Sequence, residues 1–134
     1  MQQLIEWNPL PELDQKASSF GDIAIVSPYH QRLSVVLEYG EGALHIEFND
    51  VRAFMTSWDG DPDSFLTHEE AISRPSDLCK VEASRWLASG NLRLDVESSL
   101  RTSQRPWEHF YIVSGERSLH VAARDDIEAS WVAK

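Results

Sequence analysis

The pattern of apolar and polar positions is sharpest over residues 107–123, W-E-H-F-Y-I-V-S-G-E-R-S-L-H-V-A-A. Two β-prone runs flank Gly115-Glu116, and a two-residue Gly-X turn is the type II′ signature of a tight hairpin. In that register Phe110 faces Val121 and Ile112 faces Leu119, so one side of the ribbon is wholly apolar. The other side pairs Tyr111 with His120 and His109 with Ala122 and is mixed. A pleated ribbon with one apolar face has to lie on something. Arg32–Tyr39 and Gly42–Phe48 repeat the pattern through Gly40-Glu41. There Leu37 stands opposite Leu44, Val35 opposite Ile46 and Leu33 opposite Phe48, while Val36/His45 and Ser34/Glu47 form the mixed side.

The remaining segments read around these hairpins. Leu4–Trp7 is a short strand ended by Asn8-Pro9, and Leu10–Phe20 is ambiguous between a loop and a turn of helix. Ile23–Ser27 is a β-branched strand stopped before Pro28. Val51–Trp58 continues in β style, with Val51, Ala53 and Met55 alternating against Arg52, Phe54 and Thr56. After the acidic loop Asp59–Asp63, Ser64–Ile72 fits a short helix capped by Asp63 or Ser64 and broken at Ser73-Arg74-Pro75. The spacing of Leu78, Val81, Arg85 and Trp86 predicts a longer helix, with Ser76 as N-cap and Gly90 in the αL position at its end. On that helix Trp86 plugs onto the sheet. Leu92–Val96 alternates as a strand, Ser98–Gln104 is a polar loop, and Ile127–Val132 is a last strand or a frayed helix. The expectation is a single α+β domain over residues 1–134. It has one antiparallel sheet of about six strands, built on two tight hairpins, with one or two helices on one face.

Composition narrows the function classes. At 134 residues with 42% hydrophobic residues, the chain has the length and content for one packed core. No run of about 18 apolar residues occurs, and the N-terminus lacks the basic-then-apolar pattern of a signal peptide. With one cysteine, Cys79, no internal disulfide is available, and the expected location is the cytoplasm. The net charge of −10 argues against nucleic acid or an anionic membrane as partner. Residues 1–70 carry 13 acids and 3 bases, a balance of −10, while residues 71–134 carry 9 of each. Such asymmetry fits an acidic face that meets a basic protein.

Candidate chemistry is sparse. Asp59–Glu70, D-G-D-P-D-S-F-L-T-H-E-E, places acids at positions 1, 3, 5 and 12 as a calcium loop does. Ser64 stands where that loop needs glycine, Pro62 sits at position 4, and the preceding segment reads as strand rather than helix. An acidic surface loop is therefore the better reading. His45, His109 and His120 lie on mixed strand faces, where half-buried histidines bonded to tyrosine or backbone fit better than a metal centre. No H-E-x-x-H, C-x-x-C, G-x-S-x-G or glycine-rich phosphate loop occurs, so neither an enzyme nor a cofactor is expected.

Val81, Ser84, Trp86 and Leu87 in V-x-x-S-x-W-L, followed by H-F-Y-I-V and S-L-H-V-A-A, resemble small uncharacterised bacterial domains. Some of those are immunity proteins of polymorphic toxin systems. His45–Phe54, H-I-E-F-N-D-V-R-A-F, is similar to a stretch of the same group, so the resemblance covers residues 33–123. It implies a sheet-plus-helix fold and, for some members, toxin neutralisation; it transfers no catalytic residues. The functional expectation is a bacterial immunity or antitoxin-type binding protein that blocks a basic partner. Trp58, Asp59, Asp61, Asp63, Phe65, Glu69 and Glu70 are the expected contact residues. The rival readings are a small-ligand or metal-binding domain using the His/Tyr face, and a structural subunit of a bacterial assembly. Titration calorimetry should find no micromolar calcium binding at Asp59–Glu70. Micromolar binding that Asp59→Ala abolishes would reverse that reading.

Overall fold

The computed structural model describes residues 2–12, 22–26, 31–58, 65–92, 94, 105–114 and 117–134. In chain order these form β1 (Gln3–Glu6), β2 (Asp22–Val26), β3 (Leu33–Glu38), β4 (Gly42–Phe48), β5 (Val51–Trp58) and α1 (His68–Ile72). They continue with β6 (Leu78–Glu82), α2 (Arg85–Ala88), β7 (Trp107–Val113), β8 (Arg117–Arg124) and β9 (Ile127–Ala133). All pairings are antiparallel, in a five-stranded sheet ordered β1-β6-β7-β8-β5 and a four-stranded sheet ordered β2-β3-β4-β9.

Both hairpins have the register that alternation predicts, but Gly40 lacks the positive φ of the expected type II′ turn, so the Gly40-Glu41 turn is of another type. Leu33, Val35 and Leu37 oppose Phe48, Ile46 and Leu44, and the Tyr39 N–H donates to the Gly42 carbonyl at 2.8 Å. Phe110 opposes Val121 and Ile112 opposes Leu119. Gly115-Glu116 lies outside the described residues, but the Ser114 N–H donates to the Arg117 carbonyl at 2.8 Å and so closes that hairpin. The apolar faces of the two hairpins meet. Leu33, Val35, Leu37, Leu44, Ile46 and Phe48 share one core with Leu78, Phe110, Ile112, Leu119, Val121 and Ala123. Trp7 sits between the sheets, with its ring 4.7 Å from Phe110 and 5.9 Å from Phe48. Gly42 lets β9 approach: a Cβ there would stand 2.4 Å from the Val132 carbonyl oxygen.

The expected single sheet of about six strands is thus two sheets with nine strands among the described residues. What covers the apolar hairpin face is a second sheet, not helices. The long helix expected from residue 76 is also replaced. Residues 78–82 are β6, and α2 occupies only four residues, with Ser84 as its N-cap. The physical reason is burial on both faces of β6. Leu78 enters the inter-sheet core while Cys79 and Val81 pack on the opposite side. A doubly covered strand loses its period of two and imitates helical spacing. Ala83, at φ 52°, then turns the chain into α2, and Gly90, at φ 79°, takes the expected αL position after it. Leu92 and Leu94 stand in turns instead of the expected strand; Arg93 and residues 95–104 lie outside the described residues, as do residues 13–21 and 27–30. Residues 127–133 resolve as strand.

The sheets are joined by a ribbon that changes sheet. β4 leads into β5 through Asn49-Asp50, and β8 leads into β9 through Asp125-Asp126. Across that corner the Asn49 N–H donates to the Asp126 carbonyl and the Arg124 N–H to the Asp50 carbonyl, both at 2.9 Å. The ladder therefore runs on from β4/β9 into β8/β5, where the register shifts between Val51 and Ala53. The Asp50 carboxylate, 1% exposed, pairs with Arg124 Nε at 3.2 Å. Breaking a buried pair from one side leaves an uncompensated charge, so Arg124→Ala should cost about 3–5 kcal/mol in urea denaturation. A loss below ~1 kcal/mol would show that the pair does not hold the corner.

Candidate functional site

The outward face of the five-stranded sheet carries Cys79 and Val81 on β6, His109 and Tyr111 on β7, and His120 and Ala122 on β8. The mixed hairpin face is fully buried rather than half-buried: His109 is 0% and His120 1% exposed. Ser84, the N-cap of α2, places its Oγ 2.7 Å from His109 Nδ1, and His109 Nε2 lies 2.7 Å from His120 Nδ1. Ser84 Oγ also accepts the Leu87 N–H. Each imidazole contact needs one proton between the two atoms. If the Ser84 hydroxyl donates to His109 Nδ1, His109 donates through Nε2 to His120 Nδ1; the opposite tautomers run the chain in reverse.

Aromatic rings close over this polar chain. Phe65 stacks on Trp86 at 4.5 Å and meets His120 edge-on at 4.8 Å; Tyr111 stacks on His120 at 4.6 Å. Trp86 is buried on this sheet face, as its place in the sequence predicts. The Ser84–His109 contact resembles a nucleophile and its base. Ser84 is 5% exposed, however, and its hydroxyl also serves as the N-cap of α2. His45 does not join the pair: it lies exposed on β4, on the outer face of the other sheet. Among the described residues no group of three or more His, Cys, Asp or Glu side chains has the arrangement to hold a metal ion. Cys79 lies in β6 instead of a helix. Burial pushes its thiol up to about 11, and the S–H donates to the Ser76 carbonyl.

The expected contact residues separate into groups. Trp58 is 63% exposed at the end of β5, with the Arg117 guanidinium 5.1 Å from its ring centre. Glu69 is exposed on α1. Asp59, Asp61 and Asp63 lie outside the described residues. Phe65 is spent on Trp86 and His120. Glu70 is engaged as well: α1 is capped by Thr67, not by Asp63 or Ser64, in a reciprocal capping box with Glu70. The Glu70 carboxylate also takes both terminal nitrogens of Arg85, at 2.6 and 3.2 Å, and the Gln2 side-chain amide at 3.2 Å. The residue that would close a calcium loop is therefore already committed.

The other outward face looks quite different. On β3, β4 and β9, Ser34, Val36, Glu38, Ala43, His45, Glu47, Glu128, Ser130 and Val132 point away from the core, each at least partly exposed. The four strands of this sheet contain four acids (Asp22, Glu38, Glu47 and Glu128) and neither lysine nor arginine. Glu47 and Glu128 are direct cross-strand partners, a like-charge juxtaposition that a sheet does not favour. A depression of about 300 Å³ lies there, lined by Ser34, Val36, His45, Glu47, Glu128 and Ser130 among others. Sequence reasoning missed this face because Glu128 comes from the charge-balanced half of the chain. The paired period-two patterns of β4 and β9 were the available signal. No protein-family model, no curated protein and no solved structure matches this chain.

The hydrogen bonds from Arg85, then the Thr67 N–H, hold the Glu70 carboxyl at about 2, below its ordinary 4.5. A depressed carboxylate contributes stability above its unfolded value, and that contribution is lost as pH falls from about 4.5 to about 2. The contribution is small because Arg85 is largely exposed. Glu70→Gln should flatten the stability profile in that window alone. An unchanged slope there would mean that the contacts do not favour the ionised form.

Proposed function

We propose that this chain is a binding protein of the immunity or antitoxin type, acting in the bacterial cytoplasm, that neutralises a basic partner by charge complementarity. The observation that carries this reading is the open face of the four-stranded sheet, with its opposed Glu47 and Glu128 and no basic residue on its strands. Placing a Lys or Arg of the partner between those carboxylates relieves a repulsion that the free protein retains. Complementary charge of this kind acts mainly on the association rate and on the choice of partner. The sequence supports the same sign of partner, since the net charge is −10. Trp58, exposed and already accepting one guanidinium, is the aromatic anchor of the proposal.

The test begins with a partner recovered at low salt by pull-down with the wild-type chain. Glu47→Lys/Glu128→Lys should leave stability within about 0.5 kcal/mol, since these are surface positions. The same change should slow association about tenfold or more in surface plasmon resonance, and the wild-type rate should fall steeply with salt. Asp61→Lys/Asp63→Lys asks the same of the acidic loop, while Glu82→Lys, on the exposed end of β6, is the control. A partner whose binding ignores salt and both reversals defeats the reading.

A further inference from the structure

The five-stranded sheet ends on β5, and beyond the irregularity and Arg52 at its start that edge lacks the devices by which sheets protect an edge. Natural edge strands are short, carry lysine, proline or inward charge, or are twisted away by bulges. β1 has four residues and stops at Asn8-Pro9, and β9 carries Glu128 and runs into Lys134. By contrast, β5 has eight residues. After Arg52 it reads A-F-M-T-S-W, without charge or proline, and its only irregularity lies at its start, between Val51 and Ala53. Phe54, Met55 and Trp58 are 41%, 48% and 63% exposed, and Thr56 is exposed as well.

The hydrogen-bond alternation fixes which backbone groups face outward. The Ser114–Arg117 bond closes the β7/β8 hairpin, so Leu119 bonds toward β7 and His120 toward β5. Met55, the register partner of His120, then bonds toward β8, and the amides of Phe54 and Thr56 point to the open side. Among the described residues, no strand pairs with β5 on that side.

We infer that β5 is a docking edge, at which an extended basic segment of another protein adds as a sixth strand. The inference rests on the basic-partner reading above and names where such a partner seats its backbone. Main-chain bonds to Phe54 and Thr56 supply attachment, and the exposed side chains of β5 supply selection. Charge decides the occupant. Asp59, Asp61 and Asp63 follow Trp58 directly in the sequence, and the Trp58 indole already draws the Arg117 guanidinium. A second copy of this chain fits badly, because pairing two β5 edges brings together two chains of net charge −10.

The experiment uses the full chain, isotope-labelled for NMR, and two synthetic peptides, one alternating arginine with valine and the other glutamate with valine. The arginine peptide should bind saturably, shift the amides of residues 52–58, and slow hydrogen exchange at Phe54 and Thr56 about tenfold or more. The glutamate peptide should do neither. Thr56→Lys places a charge on the edge, and Thr56→Pro removes an outward N–H; each should weaken arginine-peptide binding about tenfold without loss of fold. Shifts confined to His45, Glu47 and Glu128 would overturn the edge assignment while leaving the basic-partner reading intact. Absence of arginine-peptide binding, or equal binding of both peptides, would overturn both. Sedimentation showing a wild-type dimer that Thr56→Lys dissolves would overturn the assignment in favour of a second copy.

Discussion

The pairing of Asp50 with Arg124 is the constraint on which the arrangement of the two sheets depends. Asp50 is almost wholly buried at the point where β4 becomes β5, and Arg124 ends β8 just before β9 begins. The same guanidinium donates to the Arg105 carbonyl and lies 4.4 Å from the centre of the Trp107 ring. One cation therefore fixes the ends of four strands and the entry to β7. A buried ion pair is weak evidence for net stability, but removing one partner leaves a charge in apolar surroundings, which is strongly destabilising. Bent at this corner, the ribbon lays the apolar face of β3/β4 against that of β7/β8.

Once the apolar faces are consumed against each other, two outward faces remain, and their composition decides their fates. The face of β6, β7 and β8 presents Cys79, Val81, Tyr111, His109, His120 and Ala122. It buries its polar atoms in the Ser84–His109–His120 chain beneath Phe65 and Trp86. Buried polar groups at this depth are tolerable only when bonded, and the N-cap of α2 supplies the partner. The face of β3, β4 and β9 presents Ser34, Val36, His45, Ser130 and Val132 together with carboxylates, and these side chains are at least partly exposed. It stays open and keeps its charge in water. Burial and exposure on the two sides thus follow from side-chain chemistry rather than from chain order.

How much of this is legible in the sequence depends on the period. Both hairpins, their registers and the mixed character of His109 and His120 can be read from alternation and from the position of the two-residue Gly-Glu turns, although Gly40 does not take the type II′ conformation. Those are local signals, and the structure places each cross-strand pair as expected. β6 is not legible, because Leu78 faces one core and Cys79 and Val81 another, which erases the alternation. The sheet switch at Asn49-Asp50 is not legible either, since its signal is a charge whose partner stands 74 positions further on. The Thr67–Glu70 capping box was present as T-x-x-E but hidden inside an apparent calcium loop. His45 shows the limit of face-matching: alternation assigns it a mixed face but cannot say that this face lies on the far side of the sandwich from His109 and His120.

Counting charge along the chain is likewise a poor guide to charge in space. The excess of ten acids falls in residues 1–70, yet among the described residues two of those acids are countered by the second half of the chain: Asp50 by Arg124 and Glu70 by Arg85. Glu128 moves the other way, carried by β9 from the balanced half to a position beside Glu47. The fold thus neutralises part of the linear cluster and rebuilds a smaller one from both halves. Such a cluster on a flat, regularly spaced surface has a geometry set by strand register, whereas charge on a loop does not. A basic partner selected by that spacing would be read by position as well as by sign, so a reversal at one pair of carboxylates is a sharper probe than a change in net charge.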